Sequence, residues 1–72
     1  MTRLKALRQQ RGLSLQKLGA LADVQASDVS RIERKHAKPY PGQAARLATV
    51  LGITIDELLE EVAYVPEEGA TV

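Results

Sequence analysis

Gln25, Ala26, Ser27, Ser30 and Arg31 bring an amide, a methyl, two hydroxyls and a guanidinium together in one short stretch of chain. These groups hydrogen-bond to or pack against a partner and leave its bonds intact, so the chemistry they suit is recognition. Reactive chemistry is close to excluded. With no Cys in the chain there is no thiolate nucleophile, disulfide or Cys-type zinc site. The single histidine, His36, cannot complete a metal-ligand set unless several carboxylates converge beside it, and it reads as a surface loop residue. At 72 residues the chain has room for one core and none for an enclosed substrate chamber. An enzyme reading rests only on scattered carboxylates, and no cofactor is expected.

The net charge of +1 conceals a strong asymmetry. Residues 1–46 hold all 10 Lys and Arg against Asp23, Asp28 and Glu33, a balance of +7. Residues 47–72 hold no base against Asp56, Glu57, Glu60, Glu61, Glu67 and Glu68, a balance of −6. A basic front on a small domain is the footprint of a polyanionic partner, with the acidic end facing away from it or screening it; ordinary solvated helix surface is the plainer alternative. No apolar run approaches the roughly 20 residues of a membrane span, and the charged start differs from a signal peptide. The expected setting is a soluble domain in the cytoplasm, with no membrane partner.

The elements that must position these groups are short helices. Leu4 and Leu7 share one face of a helix ended by Gly12. Ser14 is an N-cap for a second helix carrying Leu15, Leu18, Leu21 and Ala22, and a third runs over about 25–34 with Val29 and Ile32 on its packed face. Lys35 to Gly42 is a loop containing Pro39 and Pro41. Ala44, Leu47, Ala48 and Leu51 mark a fourth helix ended by Gly52, and Thr54 and Glu57 form a capping box that predicts a fifth, carrying Leu58, Leu59 and Val62 up to Pro66. The reading is an all-α domain over 1–65 with a flexible acidic tail at 66–72.

The most informative place is the junction of the second and third helices at Ala22-Asp23-Val24-Gln25. A short turn between short helices, with Gly19 at their crossing and Val24, Val29 and Ile32 facing the core, is helix-turn-helix geometry. It leaves Gln25, Ala26, Ser27, Ser30 and Arg31 turned outward. The run from Leu4 to Leu59, with Leu7-Arg8, Gly12-Leu13-Ser14, Leu18, Val24, Ser30-Arg31-Ile32-Glu33-Arg34, Pro39, Leu51-Gly52-Ile53 and Asp56-Glu57-Leu58-Leu59, resembles the Cro/repressor (Xre) family of helix-turn-helix transcription regulators. The resemblance implies a five-helix lambda-repressor-like fold with its motif at about 15–34. It departs from the family pattern at Leu15, where Gln is favoured, at Gly19, where Ala is usual, and at Asp23, where Gly is usual.

The same resemblance implies site roles. The recognition helix, about 25–34, is expected to read bases in a DNA major groove through Gln25, Ala26, Ser27, Ser30 and Arg31, the arginine fork matching O6 and N7 of guanine. Ser14, Gln16 and Lys17 are expected at one phosphate and Arg34, Lys35 and Lys38 at others. Arg8 is expected to form a partly buried ion pair with Glu33, fixing the recognition helix. The implied partners are double-stranded DNA and a second copy of the chain, joined through the fifth-helix region. Two rival readings remain open. One is an antitoxin or controller of a toxin or restriction system, with the acidic C-terminus as the surface for a protein partner; the other is a protein-interaction module on the same fold.

Overall fold

The computed structural model describes residues 1–63. Four helices follow one another: α1, Arg3–Gln10; α2, Leu15–Ala22; α3, Ala26–Glu33; and α4, Pro41–Leu51. Local chemistry sets most of their ends. The Thr2 and Ser14 hydroxyls accept from the Lys5 and Lys17 amides, capping α1 and α2. Each of the four helices stops at or just beyond a residue in the left-handed region: Gly12, Asp23, Lys35 and Gly52. At Lys35 the turn is a Schellman closure, since the His36 amide donates to the Arg31 carbonyl at 2.8 Å and the Lys35 amide to Ile32 at 3.0 Å.

The core is one cluster, with Leu4, Leu18, Val29, Ile32, Leu47 and Leu51 fully enclosed and Val24 buried at the α2–α3 turn. Leu21, which the apolar spacing of α2 assigns to the packed face, is 54% exposed. Gly19 is buried where α2 crosses the turn, and a Cβ there would run into the Val24 carbonyl oxygen. The close approach of the two helices therefore requires glycine in this backbone. No helix among the described residues is long and apolar enough to cross a membrane.

The expected fifth helix is a single 3-10 turn, Ile55–Glu57. Its capping box forms, with the Thr54 amide donating to Glu57 at 2.9 Å and the Glu57 amide to the Thr54 hydroxyl at 3.3 Å. Beyond it the backbone carbonyls are taken by another element. The Leu4 amide donates to Leu58 at 2.9 Å and the Arg3 amide to Glu60 at 2.8 Å, so the residues after the turn satisfy the open N–H groups of α1. Thr2 and Glu61 form an isolated antiparallel bridge, and the Val62 amide donates to Met1. This strap, 58–62, is held by Leu58 in the core and by the start of the chain. Tyr64, Val65 and the acidic tail at 66–72 lie outside the described residues.

Candidate nucleic-acid interface

Two helix N-termini open side by side. At the start of α2 the Ser14 carbonyl accepts from Leu18 and its hydroxyl from Lys17, which leaves the Leu15 and Gln16 amides as outward donors. At the start of α3 Gln25 makes no side-chain cap, so its amide group and the first-turn N–H groups of the helix are uncommitted. Between the two starts runs a cleft of about 370 Å³ lined by Ser14, Leu15, Gln16, Ala26, Ser27 and Ser30. Five of the sequence-predicted contacts thus share one surface, with Gln16 and Ala26 also meeting Gln25 in a neighbouring hollow. A surface of this kind offers backbone amides to an anion and short polar side chains to whatever lies behind it.

Arg31 and Lys38 share a second concavity, of about 190 Å³, lined also by Asp28, Tyr40 and Gln43. It lies between α3 and the start of α4, whose first turn is closed by the Tyr40 amide donating to the Gln43 side chain at 3.1 Å. Lys17 and Arg34 are exposed, with the Arg34 guanidinium turned back onto the Ser30 carbonyl at 3.4 Å. Lys35 goes elsewhere. Its ammonium lies 2.7 Å from the Glu61 carboxylate on the strap.

Behind α3, Arg8 Nε meets Glu33 Oε2 at 2.5 Å and Arg8 Nη2 meets Glu33 Oε1 at 3.1 Å, with only 12% and 4% of the two side chains exposed. A third donor, Arg8 Nη1, reaches the Leu13 carbonyl at 2.8 Å. The guanidinium therefore ties the end of α3 both to α1 and to the approach to α2, and the fork geometry restricts rotation about the contact.

Much of the basic front is spent inside the molecule. Arg11 donates to the Val50 and Leu51 carbonyls at the end of α4, and Arg46 donates from α4 to the Ala22 and Asp23 carbonyls at the end of α2. Both satisfy orphan carbonyls at the negative end of a helix. Arg3 pairs with Glu60 at 2.6 Å. Neither the structural use of Arg46 at the turn nor the grouping of Asp28, Tyr40 and Gln43 with Arg31 is legible in the sequence, because nothing local marks which carbonyl a long side chain from another helix will reach.

Residues 4–58 match the helix-turn-helix family. The chain is 35% identical over 68 residues to the HTH-type transcriptional regulator DdrOP3 of Deinococcus deserti, covering 94% of this chain and 53% of that protein. It is likewise 35% identical over 65 residues to the HTH-type transcriptional repressor RghR of Bacillus subtilis, covering 89% of this chain and 48% of that protein. The chain thus spans about half the length of these curated relatives.

Proposed function

Because the chain belongs to the Cro/repressor-type (Xre) helix-turn-helix family, we propose that it is a sequence-specific regulator of transcription that binds double-stranded DNA with α3 in the major groove. The observation that carries this reading is the cleft in which the starts of α2 and α3 open together. A phosphate at the start of α2 receives the Leu15 and Gln16 amides, with the Ser14 hydroxyl and the Gln16 and Lys17 side chains around it. That anchor sets α3 with its N-terminal half toward the base edges, where Gln25, Ser27, Ser30 and Arg31 donate and accept and Ala26 meets a thymine methyl. Arg34 and Lys38 take flanking phosphates. Lys35 joins them only by leaving Glu61.

One recognition helix offers few base contacts against the competing sites of a genome, so the binding unit is a homodimer on two half-sites about 34 Å apart. Its contact surface is the apolar groove beside the 3-10 turn, where Ile55 is 52% exposed and Leu59 lies with Pro39 and Pro41. Selection of bound duplexes from a random pool tests the proposal. Enrichment of a two-fold related pair of short sequences is expected. If no sequence is enriched and no duplex is bound at moderate salt, the DNA reading fails and the protein-interaction reading replaces it.

A further inference from the structure

A carboxylate on a face offered to DNA is ordinarily a liability, and Asp28 lies on α3 between the base-reading positions Ser27 and Ser30. The structure gives it a specific neighbour. Asp28 Oδ1 stands 3.8 Å from Arg31 Nη1, one helical turn along, with the carboxylate 36% and the guanidinium 60% exposed. The two share the concavity that Lys38 and Tyr40 close from the other side. At 3.8 Å the contact is an attraction and not a hydrogen bond, so it biases where the guanidinium sits while leaving all five of its donors uncommitted.

We infer that Asp28 and Arg31 act as one base-reading unit, in which the Asp28 carboxylate positions the Arg31 guanidinium and makes tight binding conditional on a guanine opposite it. The inference rests on the recognition-helix reading above. A planar guanidinium has more than one donor edge. One edge meets O6 and N7 of guanine, and the carboxylate stands at the other, supporting the charge as water leaves. Where no guanine is present, the carboxylate repels the phosphates and keeps Arg31 from becoming one more phosphate contact. Asp28 therefore weakens non-specific binding more than specific binding, and selectivity comes from the difference.

Asp28 also serves the helix. It lies in the first turn of α3, whose N-cap makes no side-chain bond, and a negative charge there opposes the helix dipole. A loss of helix stability changes affinity for every duplex by the same factor, so the preference between duplexes separates the two roles.

The experiment measures wild type, Asp28→Asn, Arg31→Ala and the double variant on three duplexes over a salt series: the selected site, the same site with its guanine replaced, and an unrelated sequence. Asp28→Asn is expected to lower the preference for guanine by roughly threefold to tenfold and to steepen the salt dependence on the unrelated duplex by about one unit. In the Arg31→Ala background the same change is expected to leave the preference alone. An equal gain on all three duplexes, or an unaltered effect once Arg31 is gone, overturns the unit while leaving the recognition helix in place. A wild type that fails to distinguish the duplexes overturns the recognition-helix reading itself, and the inference with it.

Discussion

Arg31 and Lys38 line one concavity, yet the proposed roles give them different signatures. Arg31→Ala is expected to cost about 1 to 3 kcal/mol per half-site and to relax preference at one base pair. Lys38→Ala is expected to weaken binding to every sequence alike and to reduce the salt slope by about one unit. Fluorescence anisotropy on matched and mismatched duplexes over a salt series separates them; uniform weakening by both removes base reading from α3. Behind the interface, the two acidic partners of arginine should differ in stability cost. Glu33→Ala leaves the enclosed Arg8 without its carboxylate and is expected to cost about 3 to 5 kcal/mol. Glu60→Ala opens the pair with Arg3, whose partners are 35% and 53% exposed, and is expected to cost about 0 to 1 kcal/mol. Urea denaturation of both variants checks the contrast, and equal midpoints would count against the buried role of Glu33.

Among the elements, the α2–α3 turn is strained at one residue and crowded at another. Asp23 sits at φ 56° and ψ 49°, a conformation glycine takes without a Cβ penalty. Asp23→Gly is expected to raise stability by up to about 1 kcal/mol. Gly19→Ala is expected to lower it by about 1 to 2 kcal/mol, because the collision with the Val24 carbonyl outweighs the gain of roughly 1 kcal/mol in helix propensity. Thermal melts of the two variants should move in opposite directions. The strap has its own signature in pH. Hydrogen bonds from Lys35 and then from the N-terminal ammonium hold the Glu61 carboxyl below its usual value of 4.5. A carboxyl depressed in the folded state stabilises fully above the usual value and loses that contribution as pH falls through the depressed one. The Thr2 and Glu61 amide signals are therefore expected to titrate in acid below pH 4.5, and Glu61→Gln is expected to abolish the titration. Unchanged acid profiles in that variant would remove Glu61 from the strap's hold.

For the molecule as a whole, the charge asymmetry matters less as a field than as a set of internal contacts. Arg3, Arg8, Arg11, Lys35 and Arg46 are committed to protein acceptors, which leaves Lys17, Arg31, Arg34 and Lys38 as the cations beside the opened helix starts. The salt slope of a half-site is expected to reflect about three or four phosphate contacts and not the full basic excess. The proposed dimer carries a prediction at the same scale. Sedimentation of the specific DNA complex is expected to give two chains per site, and Ile55→Asp is expected to reduce that to one while leaving the fold intact, since Ile55 is 52% exposed. A single chain on the wild-type site would end the dimer proposal.

The helix ends and the helix-turn-helix were legible in the residues themselves. Ser14 and Thr54 as caps, Gly12 and Gly52 as stops, and Val24, Val29 and Ile32 as the packed side of the motif are signals carried within about one helical turn, where hydrogen-bond partners lie three or four residues apart. The fifth helix failed for a reason of a different range. The capping box started a turn as written, but the carbonyls of Leu58 and Glu60 went to the open amides of α1, more than fifty residues earlier in the chain. The destinations of Lys35, Arg11 and Arg46 belong to the same class. Their side chains are long enough to reach several acceptors, and only the packing of α4 and the strap against the first three helices brings one acceptor within hydrogen-bond distance. Helix boundaries were therefore set by neighbours in sequence, whereas the choice of which charges remain for a partner was made by neighbours in space.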